Sequence, residues 1–516
     1  MSQLAPWLEL LPDAAEQRAL DEWAIGQLGI AGLDLMERAG TGLAELVSER
    51  VPDGRIVVVC GSGNNGGDGY VAARVLRERG REVRVLALTP PEQLRGDART
   101  NAQRLRGERP QPFAPEALTG TSAIVDAILG TGFGGEPREP AAGAITTINA
   151  AGPVVIACDI PSGVNGSTGE IAGAAVRAAG TATFHAAKPG LWIAPGKQHS
   201  GEVRVVDIGI PAGGPADPAI GLIDDPVTDV IPRRGRESTK FAAGSVLVCG
   251  GSLGLTGAPC LASESAMRAG AGYVTAFVPA SLNAIFEGRL LEVMTVPLPD
   301  DRGSLLPEGA LRVLERTARA DSLVLGPGLG REPAAQDLAR GLALATEIPL
   351  LLDADGLNAH AGALASLAQR RAPTVLTPHA GELARLLLSD SASVDAGRLA
   401  SVRKAAETAR AVVVLKGDDT LIAQPGGRVA VSRGGAPALA TAGTGDVLSG
   451  VIGAYLAKKM DPFQAACAGV FVHACAGRWA ARAIGAEGVI ARDVIEALPR
   501  VLPAASDPAP PRSSRS

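Results

Sequence analysis

Cysteine is scarce in this chain and never spaced as a pair. The six residues (Cys60, Cys158, Cys249, Cys260, Cys467 and Cys475) form no CxxC, which leaves no dithiol or zinc-ribbon framework. Cys60, Cys158 and Cys249 each sit in an apolar run and read as reduced, buried thiols. Histidine is sparse too: five residues, at 185, 199, 360, 379 and 473, are too scattered for a transition-metal site. No GxxxxGKS or GxxxxGKT run occurs, so this is not a P-loop enzyme. An excess of positive charge is also missing. The formal net charge is −5, with no basic patch interleaved with aromatics, and nucleic acid is excluded as a partner. No uninterrupted apolar stretch reaches bilayer length. The first 25 residues carry acids where a signal peptide would have a basic start and an apolar block. A soluble protein of a reducing, cytoplasmic setting is expected, with no membrane partner.

What the chain has is length and glycine. At 516 residues it exceeds one hydrophobic core, so two domains are expected. Its 65 glycines follow no collagen-like period and mark strand-to-helix turns instead. Residues 8–50 read as two amphipathic helices, with helical apolar spacing over 14–28. Strands follow at 56–60, 82–88, 123–129, 154–160, 182–187 and 203–210, with helices at 70–79 and 94–106. Prolines, Gly213-Gly214 and a charged cluster make 211–239 a linker. The domains are therefore 1–225 and 226–501, with a Pro/Ser-rich tail at 502–516 expected to be disordered. A second strand series runs through 245–249, 273–278, 323–325, 350–353, 374–376 and 411–415. Nearly all-apolar strands alternating with helices indicate an α/β fold with largely parallel sheets covered on both faces.

In the first half, GSGNNGGD (61–68) follows a strand and precedes a helix, where bare backbone and a helix N-terminus suit a phosphate. An ordinary dinucleotide fold also wants an acid ending the second strand, but that strand ends Leu88-Thr89-Pro90. A conventional dehydrogenase is disfavoured. DAILGTG (126–132), GGE (134–136) and DIPSGVN (159–165) also follow apolar strands. In parallel sheets these loops would meet Asn64, Asn65 and Asp68 around one pocket. Asp159, between an apolar strand and a proline, is either a general base or a turn cap. Asp126 is either functional or a buried carboxylate satisfied by loop N–H groups.

In the second half, TAGTGD (441–446) leads into a helix. Its glycines bare first-turn N–H groups that can stabilise a transferring phosphoryl group. Asp446 can take a proton from a substrate hydroxyl there, or merely cap the helix. LKGDDT (415–420), TPHAGE (377–382), DADGLN (353–358) and GPGLG (326–330) also follow strands.

LMERAG (35–40), CGSGNNGGDGYVAAR, DAILGTGFGG, DIPSGVNGSTG and TFHAAKPGL (183–191) together resemble the NAD(P)H-hydrate epimerase family. The resemblance implies a Rossmann-like α/β/α sandwich that interconverts the R and S epimers of hydrated NADH or NADPH. Asn64, Asn65, Gly66, Gly67 and Asp68 would bind the substrate, with Gly130, Thr131, Gly132, Phe133, Gly134, Gly135 and Glu136. Asp159 would contact the substrate and act as acid/base; Asn65, Asp126 and Ser162 would hold potassium. VLVCGGS, GLTGAP, AMRAGAGYVT, LGPGLG, LLDADGLN, TPHAGEL, VVLKGDDT and AGTGDVLSG make the second half similar to ribokinase-like ADP-dependent NAD(P)H-hydrate dehydratases. There Lys416, Gly417, Asp418, Asp419, Thr420 and Gly445 would bind the adenine nucleotide. Ala258, Gly330, His379 and the catalytic Asp446 would contact the hydrate. Magnesium and ADP are expected with them, and a homo-oligomer. Two positions depart from the family pattern: Ala380 stands for a usual Pro, and Thr239-Lys240-Phe241 for His-Lys-Gly. Two rivals remain, a vitamin-precursor kinase in the second half and a non-catalytic dinucleotide-binding module in the first.

Overall fold

The computed structural model describes residues 4–235 and 239–502; the tail from 503 onward, expected to be disordered, lies outside the described residues. The chain divides into two compact units, one running to Leu222 and including Ala392–Ala400, the other taking up the remainder from Ile223.

The first unit has a seven-stranded sheet: β1 (Ile56–Cys60), β2 (Val83–Ala87), β3 (Gln111–Pro112), β4 (Ala123–Ala127), β5 (Val154–Cys158), β6 (Gly180–Phe184) and β7 (Glu202–Val206). The order is β3-β2-β1-β4-β5-β6-β7, all parallel. The helices include α1 (Ala14–Gly26), α2 (Gly32–Arg50), α3 (Asn64–Glu78) and α4 (Ala141–Ala151). Strand β1 shows why its residues are all apolar. Ile56, Val58 and Cys60 join a core with α2 and α3, whereas Val57 and Val59 join a second core with Ile145 and Ile148 of α4. Each such aliphatic side chain contributes roughly 1.5–3 kcal/mol on burial, so both faces are covered and the sheet is the middle of an α/β/α sandwich.

Several elements differ from the sequence expectation. Leu8–Leu10 is a short strand rather than helix. Helix α3 begins at Asn64, six residues earlier than the apolar spacing indicates, so the glycine-rich turn itself forms its first two turns. Strand β6 ends at Phe184 because His185 takes a left-handed φ of 65°. Strand β7 stops at Val206, where Asp207 accepts a hydrogen bond from Gly209 N at 2.8 Å and closes a turn. The stretch read as a linker contains a strand, Ile220–Ile223, and a 3-10 helix, Asp225–Val230.

The second unit carries β8 (Ser245–Cys249), β9 (Tyr273–Pro279), β10 (Met294–Leu298), β11 (Ser322–Leu325), β12 (Leu350–Leu352), β13 (Thr374–Leu376), β14 (Val412–Leu415), β15 (Leu421–Ala423) and β16 (Val429–Val431). Their order is β16-β15-β14-β13-β12-β11-β8-β9-β10. Pairing is parallel except at β14/β15 and β15/β16, an antiparallel extension that the sequence reading missed. Strand β10 was missed as well; Pro297 within it suits an edge. Helices α5 (Gly257–Arg268), α6 (Ala380–Leu387), α7 (Thr444–Ala457) and α8 (Pro462–Ile484) follow their strands or pack on them. Helix α7 is buried along nearly its whole length, as an all-round apolar helix must be.

Candidate active sites

In the first unit the chain leaves β1 through Gly61 and enters α3 immediately. A Cβ on Gly61 would run into the carbonyl oxygen of Ile128, and one on Gly66 into that of Gly61. The two loops are therefore packed backbone against backbone. They open, at the carboxyl ends of β1, β4 and β5, onto a cavity of about 610 Å³. Asn64, Asn65, Asp68, Gly130, Thr131, Gly132, Phe133 and Asp159 line it, joined by Arg18, Asp21 and Lys188. Gly66 and Gly67 are buried in the first turn of α3, and Gly134, Gly135 and Glu136 are exposed; none of these five lines the cavity.

Asp159 takes a left-handed φ of 64° just past β5. Thr131 donates to its Oδ2 twice, through N at 2.7 Å and Oγ1 at 2.6 Å. Lys188 Nζ, 1% exposed, donates to Oδ1 at 2.9 Å and also to Thr183 Oγ1 and Phe184 O, both at 2.9 Å. Burial works to raise the Asp159 pKa, but Lys188 and the Thr131 bonds outweigh it and hold the carboxyl below its ordinary value. Asp159 is thus an anion clamped at both oxygens. Lys188 was not singled out from sequence; its only signal is its place in the TFHAAKPGL run, 29 residues beyond Asp159.

Behind that wall Asp126 is fully buried. Ser162 donates to it from Oγ (2.6 Å) and N (2.8 Å), and Ile128 N from 3.3 Å. Burial pushes its pKa up to about 6 against those bonds. Neither side-chain atom of buried Asn65 has a hydrogen-bond partner. A buried carboxylate, a hydroxyl and an orphaned amide oxygen form a donor set that fits a hard monovalent cation. Among the described residues no cluster of three or more His, Cys, Asp or Glu could hold a metal ion.

In the second unit Lys416 follows β14 and points to the start of α7. A Cβ on Gly445 would lie 3.5 Å from Lys416 Nζ. Asp353, at the end of β12, accepts from Lys416 Nζ (2.8 Å) on one oxygen and from Ser449 Oγ of α7 (2.7 Å) on the other. Glu382 stands 3.7 Å from the same ammonium. Burial disfavours the Lys416 charge, but Asp353 and Glu382 outweigh it and raise its pKa. Asp446 lies in the first turn of α7, after Gly443 at a φ of 88°. Burial pushes Asp446 up to about 7, with Asp353 adding to the rise, Lys416 opposing it, and Glu382 and Asp355 adding further.

Lys416, Gly417, Asp418, Thr420 and Gly445 line a cavity of about 280 Å³ whose far wall is apolar, including Pro437, Leu439 and Val470. Asp419 is buried beside it without lining it, and Ala258, Gly330, His379 and Asp446 also lie outside that lining. Gly330 N donates to Asp355 Oδ2 at 3.0 Å, and Ala258 sits against the Gly328 turn. His379 caps α6: its Nδ1 accepts from Gly381 N (3.0 Å) and Glu382 N (3.4 Å), while Glu382 Oε2 accepts from His379 N (2.9 Å). Its ring edge stays half exposed. Sequence reasoning quoted the runs containing Asp353 and Glu382 without assigning either residue a role. It also passed over His473, which lines the smaller cavity, is hydrogen-bonded to the Thr444 backbone and keeps an unpartnered Nε2.

Residues 246–500 match the family described as NAD(P)H-hydrate dehydratase, and residues 32–190 the family described as YjeF-related protein N-terminus. The bifunctional NAD(P)H-hydrate repair enzyme of Moorella thermoacetica is 41% identical over 510 residues, covering 95% of this chain and 96% of that protein. The chain belongs to the bifunctional NAD(P)H-hydrate repair enzyme family. The relative from Salinibacter ruber is 38% identical, with 95% of both chains covered. The ADP/ATP-dependent NAD(P)H-hydrate dehydratase of Bacillus subtilis, solved with ATP/Mg2+, is 28% identical; it covers 53% of this chain and 94% of its own at a TM-score of 0.45.

Proposed function

We propose that the chain restores hydrated NADH and NADPH in two steps, epimerising R and S hydrates in the first unit and dehydrating the S hydrate with ADP in the second. Membership of the repair-enzyme family supports both halves. One observation carries the chemistry: Asp446 at the mouth of α7, beside Gly445 and the Lys416 ammonium. Asp446 takes the proton of the ring hydroxyl as its oxygen attacks the outer phosphorus of ADP, and the bond to AMP breaks. Lys416 and the first N–H groups of α7 stabilise the charge on the transferring group. The phosphate ester then leaves with its bonding pair, driven by the ring nitrogen, and a proton is lost from the neighbouring carbon. The products are NAD(P)H, AMP and phosphate. His379, Gly330 and Ala258 would contact the hydrate, and residues 416–420 with Gly445 the nucleotide. Magnesium would arrive with the phosphates, as is usual for that ion.

In the first unit Asp159 would contact the hydrate and exchange its proton, and Asn65, Asp126 and Ser162 would hold potassium, whose charge would keep Asp126 ionised. A cation seated there stabilises the folded unit. Replacing potassium by choline should therefore lower its thermal midpoint, and Asp126→Asn should abolish that difference. Equal midpoints in both salts for the unaltered protein would remove potassium from the proposal. Five of the six free thiols are buried, as suits a reducing cytoplasm. No helix among the described residues is long and apolar enough to cross a membrane.

The test is incubation with mixed R and S hydrate, with and without ADP, following reduced-nicotinamide absorbance. Full recovery should require ADP and release one phosphate per NAD(P)H. A stable phosphorylated product would instead mark a small-molecule kinase and end this reading.

A further inference from the structure

The epimerase site holds a second carboxyl group that the clamped Asp159 cannot replace. Asp68 lies in α3, 8% exposed, and lines the same 610 Å³ cavity as Asp159. The two carboxyls differ in every contact. Asp159 receives Thr131 N, Thr131 Oγ1 and Lys188 Nζ and has its oxygens filled by fixed donors. The Asp68 carboxyl receives no hydrogen bond from the described residues, and no cation sits on it as Lys188 sits on Asp159. The charges that face it are Asp159 past β5, Asp21 of α1 and Lys188; Arg18 and Asp97 line the same cavity. Burial, then the negative charges of Asp159 and Asp21, raise its pKa well above the ordinary value, with Lys188 opposing. One cavity therefore contains a carboxyl held toward its anion by three donors and a carboxyl with no donor, pushed toward its protonated form by burial. Two such groups with divergent environments are an acid and a base.

Resting on the epimerase reading above, we infer that Asp68 is the general acid of the first unit, acting in the cavity it shares with Asp159. Asp68 gives its proton to the ring hydroxyl. The carbon–oxygen bond breaks, its pair leaves with the new water, and the ring nitrogen lone pair forms a carbon–nitrogen double bond. Water then adds to the other face of that carbon. Its oxygen pair makes the new bond, the double-bond pair returns to nitrogen, and the displaced proton passes to Asp159. The proton lost from Asp68 is the one gained by Asp159, and solvent exchange resets the pair. The reverse epimerisation retraces these steps from the state in which Asp159 carries the proton and Asp68 is ionised, the state the forward reaction leaves and solvent exchange can regenerate. Departure and addition are then served by two different carboxyls, since Asp159 is fixed by three donors.

The experiment uses the full chain, mixed hydrate and saturating ADP. The S fraction gives a fast absorbance phase from the second unit, and the R fraction a slow phase limited by epimerisation. In Asp68→Asn the fast phase should keep its rate and amplitude. The slow phase should fall at least about 100-fold, the lower range for loss of an acid/base group, toward the rate without enzyme. Replacing a buried carboxyl by a neutral amide should leave the unfolding midpoint of the first unit unchanged or higher, which separates lost chemistry from lost fold. Unaltered protein should show its slow phase declining at high pH as Asp68 ionises, and Asp68→Glu should recover part of the rate. A slow phase in Asp68→Asn within a few fold of the unaltered protein overturns the assignment. A slow phase in the unaltered protein no faster than the uncatalysed one defeats the epimerase reading itself, a distinguishable result.

Discussion

Asp446→Asn should lower the rate of ADP-dependent dehydration by about 10²–10⁴-fold, the range lost with a positioned general base, while ADP still binds. Asn keeps the shape, and α7 is capped at Gly443 with no side-chain cap to lose, so the loss reports proton transfer rather than folding. The pH dependence has a definite sign. A base works only when ionised, and burial, seconded by Asp353, has brought this carboxyl up to about 7. Turnover under saturating substrate should therefore climb through about pH 7 and level off above it. Asp353→Asn removes one of the negative charges that raise Asp446 and also frees Lys416 to move. The ascending limb should then shift to lower pH, together with weaker nucleotide binding. An Asp446→Asn enzyme that dehydrates at an undiminished rate would falsify the proposed mechanism.

Lys188→Met should be the most damaging single change in the first unit. Lys188 is 1% exposed and satisfies Asp159, Thr183 and Phe184 at once. Removing one partner of a buried ion pair leaves the other charge uncompensated, at a cost of about 3–5 kcal/mol. The unfolding midpoint of the first unit should fall, and use of the R hydrate should cease, while the S hydrate is still dehydrated. The linkage distinguishes this from generic damage. In the unaltered protein the Asp159 pKa is lowered on folding. It therefore adds stability above its unfolded pKa that is lost as pH falls through the folded one. Without Lys188 burial dominates and the folded pKa rises, so stability should instead fall as pH increases. Adding Asp159→Asn to Lys188→Met should restore much of the midpoint and none of the epimerisation. A midpoint that stays low in the double variant would show that Lys188 matters for packing rather than charge.

The loops were legible in the sequence because each is a local event: an apolar strand, a glycine that must admit another backbone, then a helix mouth. GSGNNGGD and TAGTGD announce themselves in that way, and so do most central strands. The helix start at Asn64 was not legible, since three glycines in its first turns argue against helix until the packing of two loops is seen. Strand ends at Phe184 and Val206 depended on a left-handed residue and an Asp-stabilised turn. The wiring around each acid was hidden for another reason. Lys188 reaches Asp159 across 29 residues, and Asp353 reaches Ser449 across 96. Convergence of that kind is a property of the sheet, and nothing in the spacing of the residues encodes it.

The left-handed backbone at Asp159 has a consequence for how position 159 can change over time. That conformation is comfortable for glycine and tolerated by asparagine and aspartate, but strained for most other residues. A saturation library screened for folding alone should thus return Asp first, with Asn and Gly at lower stability because each leaves the Lys188 ammonium uncompensated. Screening the same library for repair of the R hydrate should leave aspartate. Drift at this corner is restrained twice, by geometry and by charge: asparagine suits the backbone but leaves the buried Lys188 ammonium without its anion.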